Sequence, residues 1–109
     1  MPAPARTPDA IALRDGEFTL TYRDLAAARD RIATELDHAR IPRGTLVGLH
    51  LEPGWLTVTS ILALRKHGCP YLPLHPGRPL HHHRPLLHRT GIRHLLTTTD
   101  DHLTVHHLP

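Results

Sequence analysis

The sequence predicts an α/β domain, with an N-terminal β-hairpin followed by helix–strand alternation that forms a small parallel layer. Three observations carry this. Two short β-prone runs, Ile11 to Leu13 and Phe18 to Leu20, flank Asp15-Gly16, a hairpin signal. A long segment then places Leu25, Ala28, Ile32, Leu36 and Ala39 at helical spacing, with Arg and Asp between them. Beyond it, short apolar runs alternate with helical segments, the pattern of parallel strands joined by crossover helices. At 109 residues there is room for one small domain. Residues 1–9, rich in Pro and Ala, are expected to be loose, 10–99 to form the folded body, and 100–109 to be a C-terminal tail.

Each element has a local reason. Thr21 with Asp24 three residues on resembles a capping box, with Asp in place of the usual Glu, and sets the start of the first helix. Pro42 and Gly44 end it. TLVGLHL, residues 45–51, reads as a strand. Pro53-Gly54 opens a second helix, whose expected apolar face is Trp55, Val58, Ile61, Leu62 and Leu64 and whose C-terminal cap is Gly68. Pro70, Pro73 and Pro76 exclude helix from the next run, so Tyr71 to Leu74 is a short extended piece at a sheet edge. Pro79 could open a third helix. Pro85 would then lie inside it at a cost of about 3 kcal/mol, so that helix is kinked or starts late. Gly91 closes it, and IRHLLTTT, residues 92–99, is the last strand.

Composition narrows the function classes. No run reaches the length of a membrane span, the N-terminus lacks the apolar core of a secretory signal, and one cysteine, Cys69, cannot make an internal disulfide. The expected location is the cytoplasm. The net charge of +3 hides an asymmetry: residues 53–99 hold no Asp or Glu but six Arg/Lys and seven of the twelve His. A basic half can attract anions. No aromatics interleave with it as single-strand binding needs, so no specific nucleic acid is expected.

ARTPDAIAL (5–13), LTYRDL (20–25) and LRKHGCPYLPLHP (64–76) together resemble the N-terminal stretch of adenylation domains, those of nonribosomal peptide synthetases and the wider AMP-forming acyl-CoA synthetase superfamily. LTYRDL is similar to that family's first core motif, with Asp24 for Glu. Lys66, Gly68, Tyr71, Leu72, Pro73 and Leu74 fall on the second. Pro76, Pro79, Leu87, Gly91, Leu95, Leu96 and Thr97 follow its next stretch without a gap. The resemblance implies a partial adenylation-domain N-terminal subdomain, and in that family these two motifs shape the subdomain without touching substrate. Arg65, His67, Pro70, His75, Arg78, His81, His82, His83 and Arg89 depart from the pattern, replacing acids or apolar residues. Such groups are costly where an aliphatic packs unless the site is open. They suggest a sequence loosened from the constraints of an intact enzyme.

The resemblance also says what is missing. The family holds ATP with a Ser/Thr/Gly-rich loop ending in Pro-Lys-Gly, a later Asp and a C-terminal Lys. TTTDD, residues 97–101, has hydroxyls but no glycine. Hence no catalytic, cofactor-binding or metal-binding residue is assigned, and no cofactor is expected. His81, His82 and His83 are consecutive and cannot all face one ion. His102 and His106 could share a helical face, but no acid or Cys joins them at zinc-site spacing. Ser60, the only serine, lacks a Gly-x-Ser-x-Gly setting and should turn its hydroxyl to neighbouring backbone. Cys69 reads as a packed thiol.

Three readings follow. The first is a truncated adenylation-domain fragment related to nonribosomal peptide synthesis, not competent alone. The second is the N-terminal piece of a split amino-acid- or acyl-adenylating enzyme completed by another chain. The third is a basic, His-rich module for an anion or metal. Expected partners are the remainder of a synthetase, other synthetase domains, or a second copy through self-association, and no membrane.

Overall fold

The computed structural model describes residues 8–99 and 102–108. Strands β1 (Ile11–Asp15) and β2 (Phe18–Thr21) form an antiparallel hairpin. Asp15 pairs with Phe18, so the two-residue turn is Gly16-Glu17, with Gly16 at φ 65°, one residue later than the Asp-Gly signal suggests. Helix α1 (Tyr22–His38) starts directly from the hairpin. Thr21 Oγ1 accepts from Asp24 N at 3.1 Å, and Asp24 Oδ2 accepts from Thr21 N at 3.0 Å, which is the capping box with its acid one carbon shorter. The first helical N–H groups, on Tyr22 and Arg23, donate to Ala10 O and Pro8 O, so the segment entering the hairpin completes the cap.

The main sheet has the order β4-β3-β5-β6. Its centre is β3 (Val47–His50), which pairs in parallel with β4 (Tyr71–Pro73) on one side and with β5 (His94–Thr99) on the other. Helix α2 (Trp55–His67) connects β3 to β4, and a 3₁₀ turn over Leu80–His83 leads into α3 (Arg84–Thr90) before β5. Pro85 lies in the first turn of α3, where a missing N–H costs nothing, so this helix starts late rather than kinking.

Residues 102–107, expected in a tail, instead form β6 (His102–His107), antiparallel to β5 in an unbroken register from His94↔His107 to Thr99↔His102. Leu103 and Val105 alternate with polar residues and pack on the main core, which is why the segment joins the sheet. His102 and His106 are therefore on a strand and not on a helical face.

Two cores lie on opposite faces of the sheet. Ile32 and Leu36 of α1, Ala63 and Leu64 of α2, and Val47, Leu49 and Leu96 of the strands form the larger one. Leu87 of α3, Ile92, Leu74 and Leu95 form the smaller one. The neighbours Leu95 and Leu96 point to opposite cores, as a strand buried on both faces requires. Gly48 is what lets the smaller core close. A Cβ there would lie 2.9 Å from Leu95 Cδ1 and 3.5 Å from Leu87 Cδ2.

Helix α2 buries Leu64 and packs Ile61 on the larger core as expected, but not the whole of the expected face. Thr59, Ser60, Ala63 and Leu64 are enclosed, while Val58 is exposed. Small side chains share the buried side with Leu64, and the helix is apolar enough all round to leave Val58 on the outside. Among the described residues no helix is long and apolar enough to cross a membrane.

Candidate functional site

In a parallel sheet, ligands enter at the carboxyl ends of the strands. Here that end carries a crevice of about 350 Å³ lined by Asp15, Glu52, Pro53, Gly54, Trp55, Leu56 and Thr98. Asp15 comes from the end of β1, Glu52 and Pro53 from the turn after β3, and Thr98 from β5. The first amide of α2, on Trp55, donates to Asp15 Oδ2 at 3.1 Å. Asp15 thus caps a helix forty residues away, where Gly54 offers no side-chain cap. A Cβ on Gly54 would sit 2.9 Å from that carboxylate oxygen, so the glycine makes room for it.

This arrangement decides what the crevice can hold. A helix N-terminus at a strand end is a natural anion site. Here a carboxylate occupies it, and Glu52 adds a second negative charge to the crevice wall. A phosphate arriving there meets repulsion.

The second place where chemistry gathers is the loop after β4. His50 Nε2 contacts Arg78 O at 2.9 Å and His83 Nε2 contacts His75 O at 3.0 Å, so both rings donate to carbonyls. His75 Nδ1 accepts from Gly77 N at 3.0 Å, and His82 Nε2, 3.0 Å from Arg78 Nη1, must accept because a guanidinium only donates. The rings of His50 and His83 meet edge to face at 5.4 Å. The proline- and histidine-rich run therefore folds into a loop that its own histidines fasten to the backbone. Arg65, Pro70, His75, Arg78, His81, His82 and Arg89 are exposed, as expected for departures at open sites. His67, half-buried, donates from Nε2 to Ile41 O at 2.7 Å with Asp37 3.4 Å from Nδ1. His67, His75, Arg78, His82 and His83 are thus built into the fold rather than merely tolerated.

Among the described residues, no group of three or more His, Cys, Asp or Glu is placed to hold a metal ion. Cys69 is buried beside Pro42 O at 3.4 Å, and burial pushes its thiol pKa up, away from a nucleophile's range. Ser60 differs from expectation: its Oγ is buried with no hydrogen-bond partner among the described residues. The role of Asp15 could not be read from sequence, because its partner lies forty positions on and the local signal is that of a turn.

Comparison with known proteins agrees with this fold. Residues 2–109 match the family described as AMP-binding enzyme. The chain is 42% identical over 93 residues to phosphinothricin tripeptide synthetase PhsB of Streptomyces viridochromogenes, covering 84% of this chain and 8% of that protein. It is 32% identical over 95 residues to nonribosomal peptide synthetase 8 of Aspergillus fumigatus, covering 87% of this chain and 1% of the relative. Its fold superposes on the N-terminal subdomain of Klebsiella oxytoca NpsA, solved with anthranilyl-AMSN, with a TM-score of 0.76 at 28% identity, over 83% of this chain and 24% of that one. O-succinylbenzoate coenzyme A synthetase of Bacillus subtilis gives a TM-score of 0.77 at 27% identity, over 85% and 20%. The chain thus spans under a tenth of these two curated relatives and about a quarter of the solved NpsA subdomain. It belongs to the AMP-binding enzyme family, and its fold is that of the N-terminal part of an adenylation domain.

Proposed function

We propose that this chain serves as the N-terminal segment of an amino-acid- or acyl-adenylating unit of nonribosomal peptide synthesis, acting in the cytoplasm beside other synthetase domains, and does not adenylate by itself. The observation that carries the reading is the crevice at the strand ends. Asp15 holds the amide of α2 that a phosphate would need, and Glu52 stands beside it. The 109 residues also contain no glycine-rich phosphate loop to replace it. The test is ATP–pyrophosphate exchange with a panel of amino and aryl acids. The purified chain should match a heat-denatured control; exchange above that control overturns the proposal.

A specific observation favours completion by other sequence. Leu80, Leu87, Ile92 and Leu108, with Arg84 and His88, line an open groove of about 290 Å³ over the smaller core. An apolar groove rimmed by polar groups is a seat for further protein. In the split-enzyme form of the proposal, adding a chain that carries the rest of the adenylation domain restores exchange. The anion- or metal-module reading has less support, since the histidines of the loop are engaged with its backbone.

A further inference from the structure

The sheet has two edges of unlike character. The β4 edge is three residues long, follows Pro70 and ends on Pro73, so it offers little to a new strand. The β6 edge is six residues long and contains no Pro, Lys, Arg, Asp or Glu. Its pairing with β5 has no bulge. None of the usual devices that keep edge strands apart is present.

Leu108 N donates to Arg93 O at 2.7 Å, which fixes the direction of every peptide group along the strand. In an antiparallel ladder these groups alternate, so Thr104 and His106 share the orientation of Leu108 and face β5. The N–H and C=O of Leu103, Val105 and His107 then point outward. Side chains alternate in the perpendicular sense. Leu103 and Val105 pack on the larger core, while Thr104 and His106 share the opposite face, where His106 Nε2 meets Thr97 Oγ1 at 2.8 Å.

We propose that two copies of this chain pair antiparallel through β6, about a two-fold axis at Thr104. Registers with the axis at Val105 or at Thr104 both set outward groups opposite one another. With the axis at Val105, Leu103 faces His107 and Thr104 faces His106, so apolar and imidazole groups are mismatched. With the axis at Thr104, Leu103 faces Val105, Thr104 faces Thr104, and His102 faces His106. Like meets like from His102 to His106, and the Leu103–Val105 pairs exchange both backbone hydrogen bonds. The segment His-Leu-Thr-Val-His is thus chemically palindromic, which selects a second copy over an unrelated strand. The two four-stranded sheets become one continuous sheet. This proposal is independent of the adenylation reading, because its test does not measure activity.

The experiment is sedimentation of the full chain over a range of concentrations, with circular dichroism to verify folding of each variant. Wild type should show a monomer–dimer equilibrium. T104K and T104E, at a half-buried edge position, should each raise the dissociation constant at least about tenfold by placing like charges opposite each other. Mixing the two should restore dimer. In T104C the two thiols meet at the axis, where Cα atoms of a non-hydrogen-bonded pair lie about 4.5 Å apart, within reach of a disulfide. T104C should therefore oxidise to a covalent dimer, and wild type, with Cys69 buried, should not. A wild type that stays monomeric throughout overturns the proposal, including one that pairs only with the rest of an adenylation domain. So does a dimer insensitive to both charged variants, or one whose T104C form fails to cross-link.

Discussion

Replacing Ser60 by alanine should stabilise the domain, although it removes an atom from a fully enclosed position. Ser60 Oγ is buried without a hydrogen-bond partner among the described residues. Stranding a hydroxyl in this way costs about 1–3 kcal/mol. Alanine also has the better helix propensity, by about 0.5 kcal/mol. Against this stands the small void left by one oxygen, smaller than the methyl-sized gap that costs about 1 kcal/mol. The net expectation is a gain of about 1 kcal/mol, or roughly 5 °C in Tm for a domain of this size. The neighbouring Thr59 is the matched control. It is equally enclosed, but its Oγ1 donates to Trp55 O at 2.9 Å. Thr59→Ala loses that bond and a packed methyl, and should cost about 1–2 kcal/mol. Urea unfolding of the two variants side by side decides the matter. If Ser60→Ala lowers stability as Thr59→Ala does, Ser60 has a partner and the argument from its isolation fails.

Breaking the link between hairpin and α2 should be costly in a graded way. Asp15→Ala should lose about 1 kcal/mol in a urea melt, whereas Asp15→Asn, an equally good cap, should keep most of the stability. Gly54→Ala should cost more than Asp15→Ala, because its Cβ displaces the same carboxylate and its backbone, at φ 159° and ψ -169°, is one that L side chains rarely adopt. The pH dependence should carry the mark of His94. Burial, and then the His107 ring 5.0 Å away, hold its pKa below the ordinary histidine value. The unfolded chain therefore binds the proton more readily, so the contribution of His94 is complete above about pH 6.5 and fades as pH falls through that value. His94→Leu should flatten the fall in Tm between about pH 7 and pH 5.

What the sequence reveals here depends on how far apart the interacting residues lie. The capping box is legible because Thr21 and Asp24 are three residues apart. The chemistry of Pro85 alone narrows α3 to a kink or a late start, and the structure takes the late start. Strand β6 is harder to see. Only Leu103 and Val105 mark it, among histidines that resemble a tail, and their alternation with Thr104 is the signal that could have found it. The buried side of α2 is only partly legible, through Ile61 and Leu64, for a related reason. Periodicity weighs large residues, whereas the fold encloses Thr59, Ser60 and Ala63 and leaves Val58 outside. The cap that Asp15 supplies to α2 depends on a tertiary contact with no local trace.

The division of the interior between the two faces of the sheet has a consequence for how the domain moves. The larger core draws on two helices of 17 and 13 residues, whereas α3, with seven, contributes one buried side chain, Leu87, to the smaller. Such a domain need not open as a unit. The Leu80–Thr90 flap can lift off while the other face stays closed, and each excursion bares Gly48 and Leu95 at the middle of the sheet. Amide protection should therefore be shallow along α3 and deep along α1, and the briefly uncovered strip would be the most adhesive surface this chain presents to other protein.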